Sequence, residues 1–301
     1  MVTSMGAEPQ TMQLAQPLVT VIIASYNHAP YIEASITSVL AQTYASIELL
    51  VIDDGSTDDS VERIQRLQAQ HGFAFKVQQN QGLSRTLNEA IERAQGEYVV
   101  PFGSDDIMRP ERIAKQVAYM HDKPEVGLCA ANVEIIDAAG DLLPEKEQKQ
   151  RSLPFRRLDF DDLFLDRKPG PMVATQMFRK SALQAVGGFN PEIRLEDVYI
   201  CLKILDAGYF IDILPDVLAD YRKHASNTYK RLRFMTENML KTYACFSKHP
   251  AYEQVKSRYL ISMFLKSADR DKVLAKELFA QISPRYWNAK VLRGLYRLWC
   301  K

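Results

Sequence analysis

The sequence predicts an α/β fold: a mostly parallel sheet flanked by helices, followed by a helical C-terminal appendage. Three observations predict it. Apolar runs of strand length alternate with segments of helical periodicity through the first hundred or so residues. Three of those runs end in polar clusters, Ser25-Tyr26-Asn27, Asp53-Asp54 and Asp105-Asp106. From Thr228 onward the pattern is helical to the end.

Residues 18–24 (LVTVIIA) are short, apolar and β-branched, which predicts a buried strand. Pro30 then opens a helix in which Ile32, Ile36, Val39 and Leu40 recur at helical spacing. Residues 47–52 (IELLVI) predict a second strand. It runs into Asp53-Asp54-Gly55-Ser56-Thr57-Asp58, a turn that caps a helix carrying Val61, Ile64 and Leu67. Residues 73–78 predict a third strand, Gly82 opens another helix, and residues 97–102 (EYVVPF) predict a fourth strand. Further on, strands are expected over 126–136 and 173–178, a mobile charged loop over 141–150 and a helix over 196–207. Two short strands follow over 209–214 and 217–221. Ligands of such sheets bind beyond the carboxyl ends of the strands, so three polar clusters on that rim mark a candidate site.

With 301 residues, 47% of them hydrophobic, the chain can build a sizeable core, and global disorder is excluded. A formal net charge of +1 predicts no nucleic-acid partner for the chain as a whole. The charge is uneven, however. Residues 222–301 hold eighteen Lys/Arg against five Asp/Glu. Within that tail Val291, Leu292, Leu295, Leu298 and Trp299 fall on one helical face, beside Lys290, Arg293, Arg297 and Lys301. This predicts a basic amphipathic helix for a membrane surface; a helix packed on the body or on a dimer partner is the alternative. The four cysteines show no CxxC spacing, which fits a reducing cytoplasm better than a disulfide framework or a zinc site. Residues 1–17 are polar and read as a disordered or ragged terminus, not a signal peptide. No apolar run approaches the about 20 residues of a spanning helix.

Three blocks of sequence carry a resemblance. VTVIIASYNHAPYIEASITSVLAQTYASIELLVIDDGSTDDS, GLSRTLNEAIERAQGEYVVPFGSDDIMRPERI and GGFNPEIRLEDVYICLKILDAGY resemble, in order and spacing, the motif blocks of the family 2 glycosyltransferases. The resemblance covers residues 18–224. It implies a GT-A fold, with a nucleotide-binding sheet over 18–225 and a basic helical region over 226–301. It also implies a nucleotide-sugar donor and Mg2+ or Mn2+ as cofactor.

Residue roles follow from the same resemblance. Asp53 and Asp54 would hydrogen-bond the nucleotide base or ribose, with Ser25, Tyr26 and Asn27 shaping or flanking the base pocket. Asp54-Gly55-Ser56 equally suits a plain turn and helix cap. Asp106 is expected to hold the metal, and Asp105 the ribose or the metal; two adjacent carboxylates suit a hard divalent ion. The usual motif carries an acid two places before the last Asp; here Ser104-Asp105-Asp106 follows Gly103, so only two of the possible acids are present. Arg85 and Asn88 would support that acid pair or touch the nucleotide; a plain surface pair on the helix is the alternative. Asp197 is expected as the catalytic base of an inverting displacement, with Glu196 as the second candidate. A carboxylate stabilising a helix N-terminus is the alternative for both. His224 is expected on the metal or diphosphate, and Arg222 on the diphosphate.

The activity implied is non-processive transfer of one sugar, since the Gln-x-x-Arg-Trp motif and spans of processive members are missing from this sequence. The first donor expected is dTDP-L-rhamnose, then a UDP-hexose. The acceptor expected is lipopolysaccharide or another surface glycan or glycolipid, met at the inner face of a bacterial inner membrane. Two alternatives remain. A sugar nucleotidyltransferase would need a glycine-rich basic loop where this chain reads SYNHAP. An inactive glycan-binding scaffold would be favoured by Gly103.

Overall fold

The computed structural model describes residues 16–225, 227 and 231–300. The ragged terminus expected over 1–17 lies outside them except for its last two residues. Strand β1 (Val19–Ser25) is apolar on both faces because both faces are covered. Helix α1 (Ile32–Leu40) lays Ile32, Ile36 and Val39 against the sheet. Strand β2 (Ile47–Asp53), helix α2 (Ser60–His71), strand β3 (Ala74–Val77), helix α3 (Leu83–Arg93) and strand β4 (Tyr98–Gly103) continue the alternation. The hairpin-length strand β5 (Ile107–Met108), helix α4 (Arg112–Met120) and the wholly buried strand β6 (Val126–Ile136) follow. Then come β7 (Arg156–Leu158), α5 (Phe160–Phe164), β8 (Met177–Arg179), α6 (Lys180–Ala185), α7 (Glu196–Asp206) and β9 (Phe210–Arg222).

All nine strands form one sheet, ordered β3-β2-β1-β4-β8-β6-β9-β5, with β7 also paired to β9. The expected parallel character holds across β3-β2-β1-β4 and again between β6 and β9. Strands β5, β7 and β8 run antiparallel to their neighbours. Helices α1, α2 and α4 cover one face, and α3, α6 and α7 cover the other.

Three local expectations are corrected. The two short strands expected near 209–221 are one strand, β9, whose pairing with β6 shifts register at Ala131–Val133 instead of breaking. The strand expected over 173–178 shrinks to β8, preceded by a 3-10 turn at Val173–Thr175. The loop over 141–150 is pinned: buried Gln148 exchanges hydrogen bonds with both backbone groups of Ile135 (2.8 and 2.9 Å). Arg151, just beyond it, pairs with Glu134 at 2.8 Å.

The C-terminal region is α8 (Leu232–Ala244), α9 (Tyr252–Ser267), α10 (Lys272–Gln281) and α11 (Ala289–Cys300). Its own core gathers Leu260, Phe264, Leu274, Leu278, Val291 and Leu298. A second cluster, Phe164, Leu202, Phe246 and Val255, seats it on α5 and α7. The face predicted for α11 is split. Val291 and Leu298 are buried in the helical core, whereas Leu292 and Trp299 are 62% and 67% exposed. Half of the predicted membrane face is therefore a packing face; Lys301 of the predicted basic stripe lies outside the described residues. No helix among the described residues is long and apolar enough to cross a membrane.

Candidate active site

The parallel register brings the polar clusters to one rim. Ser25 pairs with Asp53, and Ala24 with Gly103. Asn27 sits at φ 54°, a left-handed conformation that Asn tolerates better than most residues. Its N–H donates to Ser56 Oγ (2.8 Å) and its Oδ1 accepts from Thr57 N (2.8 Å), which ties the loop after β1 to the loop after β2. Tyr26 stands out from this loop, 48% exposed. The hydroxyl of Ser25 is buried with no partner among the described residues.

The two aspartates after β2 serve the protein first. Asp53 accepts from Ser56 N and Ser56 Oγ, both at 2.7 Å. Asp54 accepts from Gln78 Nε2 (2.9 Å), Gln81 N (3.0 Å) and Gly82 N (2.9 Å), so it binds the start of α3. Asn88 on α3 is likewise committed: its Nδ2 donates to Phe189 O (2.8 Å) and its Oδ1 accepts from Phe189 N (2.9 Å). Gly188 has φ +72°, and a Cβ there would meet Asn88 Oδ1 at 2.7 Å. The Gly-Gly-Phe turn thus rests on α3, which Asp54 positions, and this carries α7 toward the same rim. Arg85, one turn earlier than Asn88 on α3, stays exposed.

After β4 the acid pair turns inward. His224 Nε2 lies 2.8 Å from Asp105 Oδ2. His28 Nδ1 lies 2.7 Å from Ser104 Oγ, and the His28 and His224 rings sit edge to face, centroids 5.6 Å apart. Ligand atoms of His28, Asp105 and His224 all fall within 4.8 Å of one another. Burial pulls the His28 pKa down, which favours the neutral imidazole that a metal needs. Two imidazole nitrogens and a carboxylate oxygen fit a divalent transition ion such as Mn2+ better than Mg2+, which prefers oxygen. His28 is not among the residues that the sequence singles out; it lies in the loop SYNHAP after β1. The available signal was a ligating side chain in the same rim loop as Tyr26 and Asn27.

Asp106, expected as the metal ligand, lies behind this trio. It is 3% exposed and its Oδ1 accepts from Arg222 N at 2.9 Å. Burial and the neighbouring Asp105 charge push its pKa well up. Arg222, expected on a diphosphate, is 4% exposed. Its guanidinium donates to the carbonyls of Asp105 (2.7 Å), Asp137 (3.1 Å) and Ala138 (3.2 Å) and stacks over Tyr31. It fastens the acid loop to the end of β6. A Cβ on Gly103 would lie 2.8 Å from Asp106 Oδ2 and 2.9 Å from Asp105 Oδ1. The two carboxylates occupy the space its side chain would take.

Glu196 and Asp197 open α7, half-buried. Asp197 Oδ1 accepts from Val198 N (2.8 Å). A helix N-terminus ordinarily holds carboxylate pKa values down. Here burial wins: Asp197 is raised, and Glu196, with Asp197's charge beside it, is pushed up to about 8.

The chain matches the family model "Glycosyl transferase family 2" over residues 20–187, more than half its length. It belongs to glycosyltransferase family 2. Among its family relatives, the amylovoran biosynthesis glycosyltransferase AmsE of Erwinia amylovora is 29% identical over 216 residues, covering 70% of this chain and 79% of that one. An uncharacterized glycosyltransferase of Methanocaldococcus jannaschii is 26% identical over 246 residues, covering 79% and 83%. The GT-A fold is shared with solved structures. Staphylococcus aureus TarS, in complex with UDP-GlcNAc, aligns over 93% of this glycosyltransferase and 89% of its own chain, with TM-score 0.66 and 18% identity. The mannosyltransferase PcManGT of Pyrobaculum calidifontis, in complex with GDP-Man and Mn2+, aligns over 95% and 88%, with TM-score 0.62 and 20% identity.

Proposed function

We propose that this glycosyltransferase moves a single sugar from a nucleoside-diphosphate donor to a surface-glycan acceptor, with inversion at the anomeric carbon. The observation that carries the reading is the meeting of His28, Asp105 and His224 on the strand-end rim. A divalent ion bound there would supply the positive charge that stabilises the departing diphosphate. Asp105 and His224 would hold it, with His28 as the third ligand; Asp106 and Arg222 position the loop from behind.

The nucleotide lies across the loops after β1 and β2. Tyr26 flanks the base, and Asp53 with the Asn27 loop shapes the base and ribose pocket. Asp54 and Asn88 act through α3 by holding the rim and the start of α7 in place. Burial raises both acids of this pair, and the charge of Asp197 raises Glu196 further, so the pair holds a proton more readily than free carboxyls do; Asp197 is the base and Glu196 the second candidate. Asp197 takes the proton of the acceptor hydroxyl as its oxygen bonds to the anomeric carbon. The bond to the diphosphate breaks on the opposite face, and the leaving group carries the electron pair.

A pyrimidine donor, dTDP-L-rhamnose first and a UDP-hexose second, follows from the resemblance to bacterial surface-polysaccharide transferases. The amylovoran biosynthesis relative supports a glycan under biosynthesis as the acceptor class, and we place the reaction at the inner face of the membrane. A thermal-shift panel of nucleoside diphosphates and nucleotide sugars, with and without Mn2+ or Mg2+, tests the reading. Ligand binding to the native state raises the melting temperature. One nucleotide stabilising the protein, more strongly with metal, is the expected result. No stabilisation by any nucleotide at large excess overturns it and leaves the inactive scaffold.

A further inference from the structure

We propose that the outward face of α11, with the adjoining part of α10, docks on an anionic lipid bilayer. It deepens the reading of a membrane-borne acceptor, on which its biological purpose rests. Helix α11 carries two apolar stripes, and the fold uses only one. The inward stripe is Val291, Gly294 and Leu298, all buried, and a Cβ on Gly294 would come within 2.3 Å of the Phe264 ring. Packing on α9 therefore accounts for this stripe completely.

The outward stripe is Leu292, Tyr296 and Trp299, spaced four and three residues apart and 62%, 59% and 67% exposed. It extends onto α10. Lys276 Nζ lies 5.2 Å from the Trp299 ring centroid, and Val273, 65% exposed, is one turn before Lys276. Trp287, 45% exposed and beyond the end of α10, packs at a tilt against Phe279 of that helix. Isolated exposed apolar side chains are normal, but a connected row on two helices is not explained by the fold.

Charge names the occupant. Residues 272–301 hold seven Lys/Arg and one acid, Glu277. That acid is engaged by Arg233 at 2.6 Å, and Arg297 pairs with Asp269 at 2.9 Å. Among the described residues Lys276, Lys290 and Arg293 form no ion pair; Lys276 reaches the Trp299 ring, and Lys290 and Arg293 are exposed on the same helix as the stripe. Trp and Tyr among Lys and Arg is the mixture that settles at the headgroup level of a bilayer. A second copy of the chain would set basic flank against basic flank, whereas an anionic bilayer complements it.

The test is co-sedimentation of the full chain with phosphatidylglycerol/phosphatidylcholine vesicles and with pure phosphatidylcholine vesicles. Two variants are compared: Leu292→Ser/Tyr296→Ser/Trp299→Ser and Lys290→Glu/Arg293→Glu. The wild type is expected to bind the anionic vesicles at least about tenfold more tightly, and each variant to lose about tenfold or more. Both variants change exposed side chains, and nucleotide thermal shifts measured alongside report separately on the fold and the transferase reading. Equal binding to both vesicles, or binding that neither variant weakens, overturns the proposal. So does a dimer in sedimentation equilibrium that the triple variant dissolves, which would make a second copy the occupant.

Discussion

Asp105-Asp106 and Glu196-Asp197 are both adjacent carboxylate pairs just beyond an apolar run or a turn, and their surroundings differ in kind. The first pair lies among donors and cations: His224 on Asp105, the Arg222 N–H on Asp106, and the charge of buried Arg112 behind it. The second pair has the dipole of α7 and one local N–H, with no Lys, Arg or His paired to it among the described residues. Like charges at close range cannot both stay ionised without help. In the first pair Asp105 stands with His28 and His224 in the donor set of the proposed metal site. Burial raises a carboxyl pKa in both pairs, at Asp106 in the first and at Glu196 and Asp197 in the second, but only the first has His224 and Arg222 beside it. The proposed metal site and the proposed acid–base site thus both start from an adjacent carboxylate pair and are separated by what the rest of the chain places around it.

The largest expected effect breaks this comparison at the second pair. Asp197→Asn should lower kcat by about 10²- to 10⁴-fold while nucleotide affinity stays unchanged. Steady-state kinetics beside nucleotide thermal shifts would check it. Near-normal kcat in Asp197→Asn, with Glu196→Gln inactive, would exchange the two roles. At the first pair, Asp105→Ala should abolish the metal-dependent part of nucleotide stabilisation. His28→Ala should weaken Mn2+ binding at least about tenfold. Mn2+ titration followed by electron paramagnetic resonance reads both directly. Unchanged Mn2+ affinity in His28→Ala would remove it from the ligand set and leave Asp105 and His224.

Gly103→Ala sharpens the same point with a single methyl group. The added Cβ would meet both carboxylates below 3.0 Å, so Asp105 and Asp106 must shift. A destabilisation of about 1–3 kcal/mol is expected, with weaker metal binding. Chemical denaturation with and without Mn2+ measures both. An unaffected variant would mean that the carboxylates are free to swing, contrary to the bonds from Arg222 N and His224.

Much of the scaffold is legible in the sequence because periodicity is a local signal. Strands β1, β2 and β4 and helix α7 fall within a residue of where the apolar pattern places them. Proline at 215 suggests a break in β9, yet pairing with β6 carries the strand through a register shift. Partner choice by polar side chains is not local. Asp54, Asn88 and Arg222 carry the residue types of ligand contacts, but their partners lie 24 to 28, 101 and 84 to 117 residues away, and those partners are the protein itself. His28 was hidden for the same reason, since its neighbours Ser104 and His224 come from two other strand ends. On α11 a single apolar arc spans Val291 through Trp299 in the sequence, and only the contact of Gly294 with Phe264 divides it into an inward and an outward stripe.

The smallest expected effect concerns the proton that Glu196 keeps. Its folded pKa of about 8 stands above the ordinary value of 4.5. Below pH 4.5 the carboxyl is protonated in both the folded and unfolded chain, and it contributes no penalty. Between 4.5 and 8 the unfolded chain ionises while the native one does not, so this group lowers stability as pH rises through that window. Above 8 the penalty is constant. Glu196→Gln removes the titration, so its melting temperature should approach or fall below the wild type near pH 4.5 and exceed it near pH 8, by a margin on the order of a few degrees. Thermal melts of both proteins across that range would read it. Parallel curves would show that the second acid pair is hydrated enough to ionise freely, and the contrast with Asp105-Asp106 would then rest on the metal site alone.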